Sequence, residues 1–305
     1  MPLDGSEFAE RVLPLAAEIA TAAGARLRFA LVHTPHPVIG GDAGPVPISD
    51  IDLRAKEGEY LTGLCRRVGL PEGLQVDQVQ LEGDPGPALE GEVRRGQDDL
   101  VVMATHGRGT FSRMWLGSVA DFLVRHLEVP VLLLRPDGLR AEGEGGPTDF
   151  PFGHVLIPLD GSELAERILP PALELMRLST SGPSRVTLLT VVEPVLGGGE
   201  AGLPFAVPLD PTLLQEHRAI AEGRLSLVAQ RLAAQGVTVD TQVVSATGAG
   251  AAIAAEAERV GARLIAMTTH GERGLRRLVL GSVADKVVRS SHIPTLVFRP
   301  PPVVL

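Results

Sequence analysis

Short apolar runs alternate with longer segments whose apolar residues recur at helical spacing, and this alternation runs through the chain twice. The runs 100–103 (Leu-Val-Val-Met) and 264–267 (Leu-Ile-Ala-Met) are apolar throughout, the character of strands buried on both faces. Further strands are expected at 27–33, 75–81 and 129–135 in the first half, and at 154–159, 185–192, 238–245 and 293–299 in the second. Helical spacing groups Phe8, Val12, Leu15 and Ile19 on one face, and Leu164, Ile168 and Leu175 on another. Helices are also expected over 51–68 and 211–235, after the glycine-bearing turns 83–86 and 247–250, and from Gly117 and Gly281 onward. Strand followed by helix in both copies predicts an α/β fold of two tandem, doubly wound, parallel five-stranded sheets.

Each half opens on Pro-Leu-Asp-Gly-Ser-Glu, at 2–7 and 158–163. A full apolar strand precedes the second copy, whereas the first has only Met1 before Pro2, so its opening strand is a stub and Asp4 is expected to be held less firmly than Asp160. Each half closes on a strand that begins with proline at 130 or 294, the mark of an edge. Two apolar edges cover each other best across a pseudo-twofold axis inside one chain. Segments 36–47 and 194–211, rich in Pro and Gly, read as loops or lids. The expected divisions are a first domain at 1–136, a linker at 137–152 without hydrophobic period, a second domain at 153–300 and a tail at 301–305.

At 305 residues, two domains can each bury a core. Lys+Arg 28 against Asp+Glu 37 gives a formal charge of −9, which disfavours general binding to nucleic acid or acidic membranes. The single cysteine, Cys65, excludes an intrachain disulfide, and no run approaches the roughly 20 apolar residues of a membrane span. A cytoplasmic protein is expected.

The densest part of the repeat is Thr-His-Gly, nine residues, then Gly-Ser-Val-Ala-Asp, from Thr105 to Asp121 and again from Thr269 to Asp285. Ser118 and Ser282 stand where helices begin, and there unpaired backbone N–H groups and the helix dipole favour an anion that glycine lets approach. The same serines, each three residues before an aspartate, fit helix capping, and the two readings stay side by side. The chain is similar to a tandem universal stress protein, whose ATP-binding members carry Gly-x-x-Gly, nine residues, then Gly-Ser or Gly-Thr. Here the first glycine of that pattern is replaced by Ala104 and by Thr268. The resemblance implies ATP as ligand, with or without Mg²⁺, and a sensor or scaffold rather than an enzyme. It also implies an intrachain pseudo-dimer, with a further homodimer open. Carried over position by position, the nucleotide-binding residues are Asp4, Val32, Met103, His106, Gly107, Arg108, Gly117, Ser118 and Val119. In the second half they are Asp160, Val191, Met267, His270, Gly271, Gly281, Ser282 and Val283. Two rival functions are a slow ATP hydrolase using the same loops and an interaction module that binds no nucleotide. His106 and His270 have no nucleophile or carboxylate at a recognised spacing, so no catalytic or metal-binding residue is expected. The phosphate-loop, zinc-protease and nucleophile-elbow motifs are absent from the sequence.

Overall fold

The computed structural model describes residues 1–35, 50–105, 116–135, 152–179, 184–196, 207–208, 210–269 and 280–301. The first half runs β1 (Pro2–Leu3), α1 (Glu7–Glu10), α2 (Leu13–Ala22), β2 (Leu27–His33), α3 (Asp50–Arg67), β3 (Val76–Glu82), α4 (Pro85–Gly96), β4 (Val101–Ala104), α5 (Ser118–His126) and β5 (Val131–Leu134). The second half repeats this as β6 (His154–Pro158), α6 (Glu163–Glu166), α7 (Leu169–Arg177) and β7 (Arg185–Val192). After a two-residue antiparallel bridge, β8 (Val195–Leu196) with β9 (Val207–Pro208), it continues as α8 (Pro211–Ala233), β10 (Thr238–Ser245), α9 (Ala249–Arg259), β11 (Leu264–Thr268), α10 (Ser282–Ser290) and β12 (Thr295–Phe298). That bridge falls inside 194–211, where a loop or lid and no strand was expected.

The second half forms the expected sheet, in the order β10-β7-β6-β11-β12 and parallel throughout. The first half follows the same order but is divided. β1, β2 and β3 form a three-stranded sheet, while β4 and β5 join the sheet of the second half to make seven strands. The cause is the length of β1. In the second half β6 reaches β11 through Val155 and Leu156, opposite Leu264 and Ile265. By the repeat, Pro2 and Leu3 correspond to Pro158 and Leu159, beyond that bridging stretch.

The two closing strands pair with each other, antiparallel, with Val131 opposite Val297, Leu132 opposite Leu296 and Leu133 opposite Thr295. This is the intrachain pseudo-dimer contact expected from the proline-led edges. Pro130 and Pro294 lie just outside the strands, and their carbonyls accept from Val101 N at 3.0 Å and Ile265 N at 2.9 Å. Proline thus contributes an acceptor where its missing donor costs nothing.

Layers on both faces explain the unbroken apolar runs. Leu132, Leu133 and Leu134 are all buried, the first and third in one core cluster and the second in the other. Phe152, assigned to the linker by sequence, is fully buried in the first of these clusters. The first expected helix is broken instead of continuous. Pro14 sits in the first turn of α2, so α1 ends at Glu10, and Phe8 is left exposed under the Arg11 guanidinium while Val12, Leu15 and Ile19 are buried. Among the described residues no helix is long and apolar enough to cross a membrane.

Candidate functional site

In each half the strand order reverses about β6 or its counterpart β1, and the carboxyl ends of the strands on either side are where a sheet of this kind receives a ligand. Asp160 follows β6 and Asp4 follows β1. Asp4 Oδ1 accepts from Ser6 N at 3.0 Å and from Ser6 Oγ at 2.6 Å, and Ser6 Oγ in turn accepts from Ala9 N at 3.2 Å. Asp160 repeats this with Ser162 N at 2.9 Å and Ser162 Oγ at 2.6 Å, and Ala165 N donates to Ser162 Oγ at 3.1 Å. The serine is therefore the helix cap, and the aspartate orients it. The chain can fold back between them because Gly5 and Gly161 take φ of 77° and 86°. Asp4 is braced as Asp160 is, despite its short strand. Met1 N donates to Arg28 O at 2.7 Å and Ala30 N donates to Met1 O at 3.0 Å, so β1 is tied to β2 from its first residue.

Opposite the aspartates, α5 and α10 begin with N-caps Gly117 and Gly281, and neither helix has a side-chain capping bond. Ser118 and Ser282 are first helical residues, and both are exposed. The capping pattern read from the sequence is not formed: Asp121 pairs with Arg125 at 2.6 Å and Asp285 with Arg289 at 2.7 Å, each one turn along its helix. First-turn N–H groups without a side-chain cap beside a residue lacking Cβ fit an anionic ligand such as a phosphate. Gly117 N donates to Thr105 O and Gly281 N to Thr269 O, both at 2.9 Å. The threonines are anchored in turn to Leu134 O and Phe298 O at 2.9 Å. Thr105 and Thr269 are buried, and they hold each glycine against its sheet. Sequence reasoning passed over them, although Thr precedes His-Gly in both copies.

Val32 and Val191 lie at the carboxyl ends of β2 and β7, half-buried, on the same rim as the aspartates. Val119 and Val283, in the first turns of α5 and α10, are half-buried too. Met103 and Met267 are buried in the core among Ala120, Val131 and Leu133 and among Ala284 and Val287. Ala104 and Thr268, which replace the glycine of the ATP-binding pattern, end β4 and β11 and are buried. The Ala104 methyl belongs to the core that contains Leu132 and Leu134. His106, Gly107, Arg108, His270 and Gly271 lie outside the described residues, as do Arg273, Arg276 and Arg277. Among the described residues no group of three or more His, Cys, Asp or Glu is placed to hold a metal ion.

The universal stress protein family model matches residues 1–135 and again 151–299. A universal stress protein of Mycobacterium tuberculosis is 30% identical over 242 residues, covering 76% of this chain and 72% of the relative. One from Mycolicibacterium smegmatis is 26% identical over 281 residues, covering 88% and 86%. A crystal structure of a universal stress protein from Archaeoglobus fulgidus superposes with a TM-score of 0.64 at 20% identity, covering 98% of this chain and 94% of that one, a likeness of fold. With the strand order, the paired closing strands and the two matched stretches in agreement, the chain is a tandem, two-domain member of the universal stress protein family.

Proposed function

We propose that each half binds an adenine nucleotide, ATP, and that the chain acts as a sensor or scaffold whose output is the nucleotide-bound state, not turnover. The observation that carries this reading is the duplicated helix mouth: Gly117 and Gly281, both N-caps without side-chain capping bonds, both tied at 2.9 Å to a buried threonine. Capping by Ser118 and Ser282 was the bland alternative, and neither serine makes that bond. The phosphates sit against Gly117-Ser118-Val119 and Gly281-Ser282-Val283, drawn by unpaired N–H groups and the helix dipole. By the family's pattern Asp4 and Asp160 contact the nucleoside, and the backbone at Val32 and Val191 meets the adenine edge. The units that bind are those read from the sequence, 1–136 and 153–300.

Protein purified without added ligand is the material for the test. Extraction and chromatography are expected to release ATP or ADP, and calorimetry on the emptied protein is expected to give two sites per chain for ATP. No nucleotide in the extract together with no heat on titration would refute the reading and leave an interaction module.

A further inference from the structure

α8 turns toward solvent an apolar stripe that the core does not use. Its buried residues are Ala221, Leu225, Val228 and Leu232, yet Leu213, Ile220 and Leu227 are 45%, 54% and 64% exposed. Helix positions seven apart drift by only about 20°, so these three fall on one line along α8. Gly223 stands between Ile220 and Leu227 on the outer side, and a Cβ there would meet nothing within 4 Å. The first half has no such stripe. Arg54 reaches Glu82 and Arg218 reaches Ser245, while Arg67 pairs with Glu10 and Arg231 with Glu166, so α3 and α8 match turn for turn. On α3 the places of Ile220 and Leu227 are held by Lys56 and Gly63. The fold itself therefore does not require apolar side chains on this face, and a contiguous apolar line marks a contact.

We propose that this stripe is a homodimer interface, in which α8 packs antiparallel on α8 of a second copy about a twofold axis between Gly223 and Arg224. In such a contact residue i meets j and j meets i. The axis sets Ile220 against Leu227 of the second copy, twice, and Leu213 beside Ala234. It also sets Glu216 against Arg231, twice. Glu216 is exposed and has no ion pair among the described residues, while Arg231 is anchored by Glu166 with its side chain still 59% exposed. The face is thus complementary in charge to its own antiparallel image. A parallel pair would instead set Glu216 on Glu216 and Arg231 on Arg231. Gly223 lies at the crossing, where the lack of a side chain lets the helices close. One helix pair buries less than the roughly 1,200 Å² of stable interfaces, so the dimer is a reversible one of micromolar affinity.

The interface needs no nucleotide and is separate from the closing strands, which already pair within one chain, so failure here leaves the nucleotide reading untouched. The full chain, emptied of ligand, is sedimented at loadings from about 1 to 200 µM. A concentration-dependent dimer is expected. Leu227→Lys is expected to keep the circular dichroism, since the side chain is outside the core, and to raise the dimer Kd at least about tenfold by burying an unpaired charge. Glu216→Arg and Arg231→Glu are each expected to weaken self-association, because like charges then meet twice. Mixed in equal amounts, the two variants are expected to associate with each other, because both contacts become opposite pairs. A wild-type monomer throughout the range overturns the proposal. So does a dimer indifferent to Leu227→Lys, and so does a mixture that associates no better than either charge variant alone.

Discussion

Gly117 and Gly281 have φ of −58° and −57°, values open to any residue, so what glycine supplies there is space and not backbone freedom. Gly117→Val combined with Gly281→Val is expected to keep the far-ultraviolet circular dichroism and to lose ATP affinity by at least about tenfold. Unchanged calorimetric affinity would remove the phosphates from the helix mouths. His33 is a different kind of residue. It is buried at the end of β2, where its Nδ1 lies 2.8 Å from Glu57 Oε2 and its Nε2 lies 3.1 Å from Asp50 Oδ1. Burial lowers its pKa, but the two carboxylates outweigh burial and hold it above the ordinary histidine value. A raised pKa means stability fully present below about pH 6.5 and lost as pH rises through the folded value. Urea unfolding of the wild type is expected to show this decline, and His33→Gln is expected to flatten it. The second half carries Val192 at the matching place and has no such dependence to contribute.

At the scale of elements, each half caps a helix of the other. Arg135, after β5, donates to the carbonyls of Val288 and Arg289 at the end of α10, and Arg299, after β12, donates to His126 O at the end of α5 at 3.3 Å. A cation on the unpaired carbonyls of a helix terminus is favourable on both hydrogen-bond and dipole grounds. Arg135→Ala and Arg299→Ala are each expected to cost about 1 kcal/mol in denaturant melts. Additivity of the two losses would show the two ends acting independently. Most elements were legible beforehand, since β2, β7 and β10 have the bounds expected from the sequence. The broken first helix was legible in principle from Pro14. The divided first sheet was not, because whether Pro2 and Leu3 reach β4 depends on register across the sheet. The site was legible as a spacing. The exchange of roles, in which glycine takes the N-cap and the aspartates pair with Arg125 and Arg289, required the geometry.

For the whole molecule, the antiparallel join of β5 to β12 makes one seven-stranded sheet out of two halves. A piece spanning 152–301 keeps all five strands of its own sheet but bares β12, with Leu296 and Val297 no longer covered by β5. It is expected to dimerise through that edge in sedimentation, and Leu296→Lys is expected to shift it toward monomer. A well-behaved monomer of the unaltered piece would show that the join is weak. The same join sets an order of events during synthesis. β5 leaves the ribosome long before β12, and in between the whole second half must be made, at a pace of about 5–20 residues per second. Throughout that interval Val131 to Leu134 offers a bare apolar strand edge. Slowed translation of the second half is therefore expected to expose the nascent first half to chaperone capture or aggregation, a hazard that ends only when β12 arrives.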